Sequence, residues 1–325
     1  MITLSKDSSS AYPLPDALKT SAVTGPLGAI VRAEALIASR FAARFLDVTG
    51  QTRALANLAG MRRARQRGRG VEFDEVRAYA AGDDVRAIDW RVTARSGTPH
   101  TKLFHEDREQ PILVAVDQRT PMKFGSRRCF KSVLAAHIGS LALWSGLQGG
   151  ERVGGAVLGD HRVSDTRPKR SQHAVLSVIK DLVEEGHPQP SHETPQRLSE
   201  LLLQLEMISR PGTRLFIVSD FHDLFDNDGV APLRRLARKT QIVAIRVTDP
   251  LEATLPQAGF YAVTDGQSHS QLDTSLATTR EAYARDYQVQ HDLTAQRLRE
   301  LRIPLLQIHT DEDPLKRLLT VFPQR

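Results

Sequence analysis

Ile112-Leu113-Val114-Ala115-Val116-Asp117 is the stretch on which the fold of this chain turns. A strand that buries one face alternates apolar and polar residues. Five apolar residues in a row, two of them β-branched valines and one isoleucine, leave neither face for water. That pattern belongs to a strand inside a parallel sheet with helices on both sides. It recurs downstream: apolar runs at 152–158, 215–218, 242–247 and 305–308 close on Gly159-Asp160, Ser219-Asp220, Thr248-Asp249 and Thr310-Asp311. Helical stretches near 129–147, 171–185, 195–209, 229–239 and 275–301 separate them. Strands alternating with helices predict an α/β fold, a doubly wound, mostly parallel sheet over residues 111–325. Pro304 before one strand and Pro250 after another suit strand ends.

The Asp at each strand's carboxyl end carries the next inference. In an open parallel sheet the ligand crevice lies outside those ends. Asp117 and Asp220 are therefore expected at one rim. A strand closed by Asp-x-Ser-x-Ser begins a metal-ion-dependent adhesion site, where hydroxyls and carboxylates hold Mg²⁺ through oxygen. Here Arg119 and Pro121 stand at the two serine positions, and Thr120 is off the spacing. Arginine cannot ligate a cation and proline has no side-chain oxygen. No metal ligand set and no cofactor is expected, Mg²⁺ included, and the rim reads as a degenerate ion site. The sharper expectation puts the Arg119 guanidinium where the ion would sit, paired with Asp117 and Asp220. The alternative leaves Arg119 in solvent at a loop tip.

Upstream lies a second unusual stretch, Gly82-Asp83-Asp84-Val85-Arg86-Ala87-Ile88-Asp89-Trp90. With its flanks it sets Arg77, Arg86, Arg91 and Arg95 against Asp83, Asp84 and Asp89, beside Tyr79 and Trp90. A buried core accepts so many ions only when they pair. The block reads as an internally paired bracket packed to the sheet through Trp90, as a docking face, or as both. Trp and Arg are favoured at binding hot spots, which marks Trp90, Arg86 and Arg95.

The remaining composition bounds the protein more loosely. The chain has 325 residues, 40% of them hydrophobic and 25% charged, the balance of an ordinary globular protein. The formal net charge of +6 is concentrated at Arg62, Arg63, Arg65, Arg67 and Arg69. That run reads as a solvated connector, with nucleic acid, anionic lipid or an acidic protein as alternative partners. It lacks the interleaved aromatics that stack on bases, so nucleic acid is not the expected partner. A single cysteine, Cys129, excludes an internal disulfide and reads as a buried, inert thiol. No signal peptide is visible, and the longest apolar stretch, 132–146, falls short of the about 20 residues a spanning helix needs. Residues 1–25 read as a disordered arm. Residues 26–70 read as a helical arm and basic linker, its apolar face made by Leu27, Ile30, Val31, Ile37, Phe41 and Phe45. That arm packs on the body or, being basic and amphipathic, lies on a membrane surface. Residues 71–110 form a small β-rich bracket. No catalytic residue emerges: His-Glu-x-x-His, Gly-x-Ser-x-Gly and a phosphate loop are all absent, so the chain does not read as an enzyme.

Glu72-Phe73, Arg77, Tyr79, Gly82-Asp83-Asp84, Arg86, Ile88-Asp89-Trp90 and Ala94-Arg95 together resemble the signature of domain-of-unknown-function family 58. Val247-Thr248-Asp249-Pro250-Leu251-Glu252 and Leu255-Pro256 are similar to its later pattern. In those bacterial and archaeal proteins the block precedes a von Willebrand factor A-like domain. The resemblance implies an A-type sheet and association with a MoxR-type AAA+ ATPase, in chaperone-like systems that mature proteins or assemble complexes. The membrane spans that often precede the signature are missing here, as are the serines of the ion site. The expected function is thus a non-enzymatic adaptor that binds an unknown client for such an ATPase. The expected location is the cytoplasm, with a peripheral place at the inner membrane as the alternative. The rival readings are a metal-dependent ligand-binding A domain and a basic-patch binder of nucleic acid or membrane surface.

Overall fold

The structure, a computed structural model, describes residues 25–50, 53–59, 76–79, 88, 90–102, 110–187, 196–225, 229–256, 259–264 and 269–324. The chain divides into a large unit, Met1–Arg62 with Gln110–Arg325, and a small one, Arg63–Glu109. Among the described residues the large unit has three short helices ahead of its sheet, α1 (Ala33–Ala38), α2 (Arg40–Ala43) and α3 (Arg53–Leu58). In the small unit β1 (Val76–Ala78) pairs antiparallel with β2 (His100–Lys102), and α4 (Trp90–Ser96) lies between them in sequence. The expected β-rich bracket therefore contains a helix as well. The arm at 1–24 and the arginine run at 62–69 lie outside the described residues.

The rest of the large unit is an α/β sheet built on β3 (Ile112–Asp117), followed by α5 (Lys131–Gln148), β4 (Val153–Leu158), β5 (Val163–Lys169), α6 (Gln172–Glu185), α7 (Leu198–Ile208), β6 (Arg214–Ser219), α8 (Val230–Lys239), β7 (Gln241–Thr248), α9 (Pro250–Ala253), a hairpin of β8 (Phe260–Thr264) and β9 (His269–Asp273), α10 (Ala277–Glu300), β10 (Leu305–His309) and α11 (Pro314–Leu319). Its six strands run in the order β10-β7-β6-β3-β4-β5. All pairings are parallel except that of the edge strand β5 with β4. β3 is thus central. The chain winds from it to one edge through β4, then returns to build the other half from β6.

Both faces are buried, as the unbroken apolar runs require. Ile112, Val114 and Val116 join one core layer with α5, α6 and α11. Leu113 and Ala115 join the other with α7 and α8. β5 and the β8–β9 hairpin were not legible as strands. β5 reads Val-Ser-Asp-Thr-Arg-Pro-Lys, and Pro168 is tolerated because an edge strand has a free side. β4 and β5 approach so closely that a Cβ on Gly154 would collide with the Thr166 carbonyl oxygen.

The N-terminal helices pack on α5 with only part of the expected face: Val31 is buried and Ile37 packs on the core. Val31, Leu36, Ala42, Ala43 and Leu46 are buried, whereas Leu27, Ile30 and Phe41 are exposed. A single amphipathic helix would have buried the latter set. The helix instead breaks at Ser39, whose hydroxyl bonds Leu36 O and Ser140 Oγ. Polar side chains of α5 satisfy the carbonyls freed by these short helices. Ser140 Oγ and Trp144 Nε1 both donate to Leu36 O, and Ser145 Oγ donates to Leu46 O. That explains serines on a helix buried on every side. The segment after α2 is held at the amino-terminal end of β6 by Arg214, whose Nη1 donates to Val48 O and Gly50 O. Burial pulls that guanidinium down to about 10. Cys129 is buried, and its thiol is pushed up to about 12, burial first and Asp249 also contributing. Among the described residues no helix is long and apolar enough to cross a membrane.

Leu36 is fully buried between the arm and α5. Leu36→Ala is expected to lower stability by about 2–5 kcal/mol in urea unfolding. A loss below about 1 kcal/mol would mean the arm is not part of the core.

Candidate functional site

Parallel β3 and β6 lie side by side, so Asp117 and Ser219 end at the same rim. The crossovers from these two strands leave in opposite directions along the sheet, the arrangement that opens a crevice outside the carboxyl ends. The side chain of Arg119 fills this place. Arg119 is 2% exposed and Asp117 0%. Nε and Nη2 of Arg119 donate to the two oxygens of Asp117, at 3.0 and 2.7 Å. Nη1 and Nη2 donate to the two oxygens of Asp223, at 2.6 and 3.0 Å. The last donor, on Nη1, reaches Gln196 O at 3.0 Å. All five N–H groups of the guanidinium are therefore used.

Asp117 is equally engaged. It also accepts from the Arg119 backbone N–H and from Ser219 Oγ, at 3.1 and 2.8 Å. Asp223 accepts from the N–H of Leu198, the first residue of α7, where the helix dipole favours an anion. Burial pushes the Asp223 carboxyl up, but the bonds and charge of Arg119 outweigh it and hold it below the ordinary carboxylate range. Burial likewise opposes charge on Arg119, and Asp117 and Asp223 more than reverse that.

The expected partner of Arg119 was Asp220, and this is corrected: Asp220 belongs to a second cluster. Lys131, the first residue of α5, is buried with its Nζ between Asp220 Oδ2 at 2.8 Å and Glu252 of α9. His222 Nδ1 lies 2.8 Å from the other oxygen of Asp220. Burial disfavours the Asp220 carboxylate, yet Lys131 and His222 hold it well below its ordinary range. Burial alone would lower His222, but Asp220 raises it. The two carboxylates take different partners because the chain reverses at Phe221, a non-glycine residue with φ 59°. Such a left-handed residue costs about 1–2 kcal/mol. Its N–H bonds Ser219 Oγ and its ring is buried, which offsets the strain. Apolar periodicity carries no sign of such a turn, so Asp223 was missed as the partner.

Two further carboxylates pin the loop after β3. Asp160, beyond β4, accepts from Thr120 N, Thr120 Oγ1 and Lys123 Nζ at 2.6, 2.9 and 2.9 Å. Asp249, beyond β7, accepts from Ser126 N, Ser126 Oγ, Leu251 N and Thr310 Oγ1. Both are held below the ordinary range, burial opposing and these bonds prevailing. Four of the five strand-end aspartates are thus hydrogen-bonded anchors of one rim. The arrangement neutralises and immobilises charge. No group of three side chains that could hold a metal ion comes together among the described residues.

Of the signature residues, Glu72, Gly82, Asp83, Asp84, Arg86 and Asp89 lie outside the described residues, as does the side chain of Arg77. Tyr79 is half-buried, its N–H bonded to Pro99 O. Trp90 begins α4 and is 68% exposed, and Arg95 is exposed too.

Depressed carboxylates contribute stability that is complete above their unfolded value, near 3.8, and lost as pH falls through the folded value. His222 acts oppositely: its contribution is complete below 6.5 and lost as pH rises through the raised folded value. Asp223→Ala is expected to cost about 3 kcal/mol at neutral pH, since it strands half of a buried guanidinium. The deficit should shrink as the pH drops below about 4. Wild-type and variant urea curves that stay equally separated down to pH 2–3 (about one unit below the ordinary range) would contradict the pairing.

The family model described as "Protein of unknown function DUF58" matches residues 75–293. Uncharacterized proteins of Mycobacterium bovis and Mycobacterium tuberculosis are each 30% identical over 265 residues, 79% of this chain and 80% of theirs. Among solved structures, a conserved hypothetical protein BatB from Bacteroides thetaiotaomicron aligns with TM-score 0.32 and 14% identity, over 59% of this chain and 98% of that one. An aerotolerance-related membrane protein from Bacteroides fragilis aligns with TM-score 0.36 and 14% identity, over 65% and 96%. The match over two thirds of the chain, with the mycobacterial relatives, places this protein in the family of unknown function DUF58.

Proposed function

We propose that this chain is a non-enzymatic adaptor: a von Willebrand factor A-like domain that binds a client protein for a MoxR-type AAA+ ATPase. The observation that carries this reading is the saturated Arg119. A strand-end crevice is where a sheet of this class takes its ligand or ion, and here an internal cation with no donor left over fills it. A site built that way supports shape and surface rather than turnover. The strand order, with a central first strand and an antiparallel edge, suits an A-type sheet.

The ATPase partnership follows from the family signature. Its exposed Trp90 and Arg95 supply a hot-spot pair on the small unit. A cytoplasmic place, or a peripheral one at the inner membrane, fits an adaptor that must meet a soluble ATPase. The metal-dependent reading has the saturated Asp117 oxygens against it.

The test is affinity capture from the native cell with a slowly hydrolysed ATP analogue present. The tagged chain should retain a MoxR-type ATPase, and Trp90→Ala should cut recovery at least tenfold, the loss of a hot-spot side chain worth about 2 kcal/mol or more. Unchanged recovery by a folded Trp90→Ala chain would remove the signature block from docking. Absence of any AAA+ ATPase from the wild-type eluate would remove the partnership.

A further inference from the structure

Three arginines of this chain can be compared at the same edge of the guanidinium. Arg119 holds Asp117 by Nε and Nη2. On the surface Arg235 holds Glu206 by the same two nitrogens, at 2.7 and 2.9 Å. Arg246, on β7, is 2% exposed, yet its Nε and Nη2 have no partner among the described residues. Its Nη1 alone is engaged, donating to the carbonyl of His291 on α10 at 3.2 Å.

The neighbouring carboxylates are committed elsewhere. Asp220 is held by Lys131 and His222. Asp292 has a 68% exposed side chain and accepts from Gln288 Nε2. Burial lowers the Arg246 guanidinium, and Tyr287, Asp220 and Asp292 only partly oppose this. A buried guanidinium that lacks a counter-charge is costly. Arg246 alternates on the strand with Ile245 and Val247, so it faces the layer that α10 closes. Its register neighbours are Ser219 on β6 and Gln307 on β10. His291 lies on α10, its Nε2 2.8 Å from Gln307 Oε1, its Nδ1 3.6 Å from Asp292 Oδ1, and its ring stacked on Tyr287.

We infer that the Nε–Nη2 edge of Arg246, beneath α10, is a binding site for a small carboxylate ligand. Two parallel N–H donors on one edge match the two oxygens of a single planar carboxylate, as Asp117 and Glu206 demonstrate within the same molecule. Depth limits the ligand to a small one. Entry requires local displacement of α10, of whose 24 residues Leu298 is the fully buried one. The inference does not rest on the adaptor reading, because neither the ATPase nor the signature block enters it.

Acetate is the probe, titrated into the full chain with chloride replaced to keep ionic strength constant. The melting temperature of the wild type should rise and saturate, and Arg246→Met should abolish the rise. Arg235→Met, which removes the surface fork, should leave it intact. An equal rise in Arg246→Met overturns the site, and a larger rise with inorganic phosphate overturns the carboxylate assignment. Should Arg246→Met fail to fold, the wild type decides alone: ¹³C-acetate resonances that show no saturable broadening with protein overturn the proposal.

Discussion

A guanidinium buried at the carboxyl end of a parallel sheet sets the terms for the rest of this protein. Taking one Arg and two Asp out of water costs several kcal/mol per ion before any attraction is counted. The arrangement survives because nothing is left over. Arg119 uses five donors, and Asp117 and Asp223 accept from backbone, hydroxyl and helix terminus besides. The triad fixes the loops after β3 and β6 and the start of α7 to one point. Breaking any member leaves an ion in a low-dielectric interior, where an unpaired charge is most costly.

The neighbouring clusters extend that logic along the rim. Lys131 joins the start of α5 to the loop after β6 and to α9. Asp160 and Asp249 tie the segment after β3 to the loops beyond β4 and β7. Strand-end carboxylates thus tie the loops along the carboxyl edge of the sheet to one another.

The β3, β4, β6 and β7 strands were legible because burial on both faces leaves a run of apolar residues, and the edge strand β10 was legible by Leu305, Leu306 and Ile308 ahead of Thr310-Asp311. The strand-end aspartates were legible too, as positions. What sequence could not supply was pairing. Asp220 and Asp223 are three residues apart, and only the left-handed turn at Phe221 decides which meets Arg119. β5 escaped because an edge strand needs no apolar run. Of the arm's buried face only Val31 and Ile37 were legible, because a helix broken at Ser39 does not keep one periodicity. The open edge of Arg246 escaped for a further reason: a lone Arg within Ile-Val-Ala-Ile-Arg-Val-Thr says nothing of its missing acceptor.

The central claim is that Arg119 serves as the internal cation of the rim. A double-mutant cycle on Arg119→Met and Asp117→Asn, read by urea unfolding at neutral pH, tests it most directly. A saturated, buried pair should show a coupling energy of about 2–3 kcal/mol, the upper end for directly contacting residues. Coupling below about 0.5 kcal/mol, the value of independent or solvent-screened groups, would contradict the account.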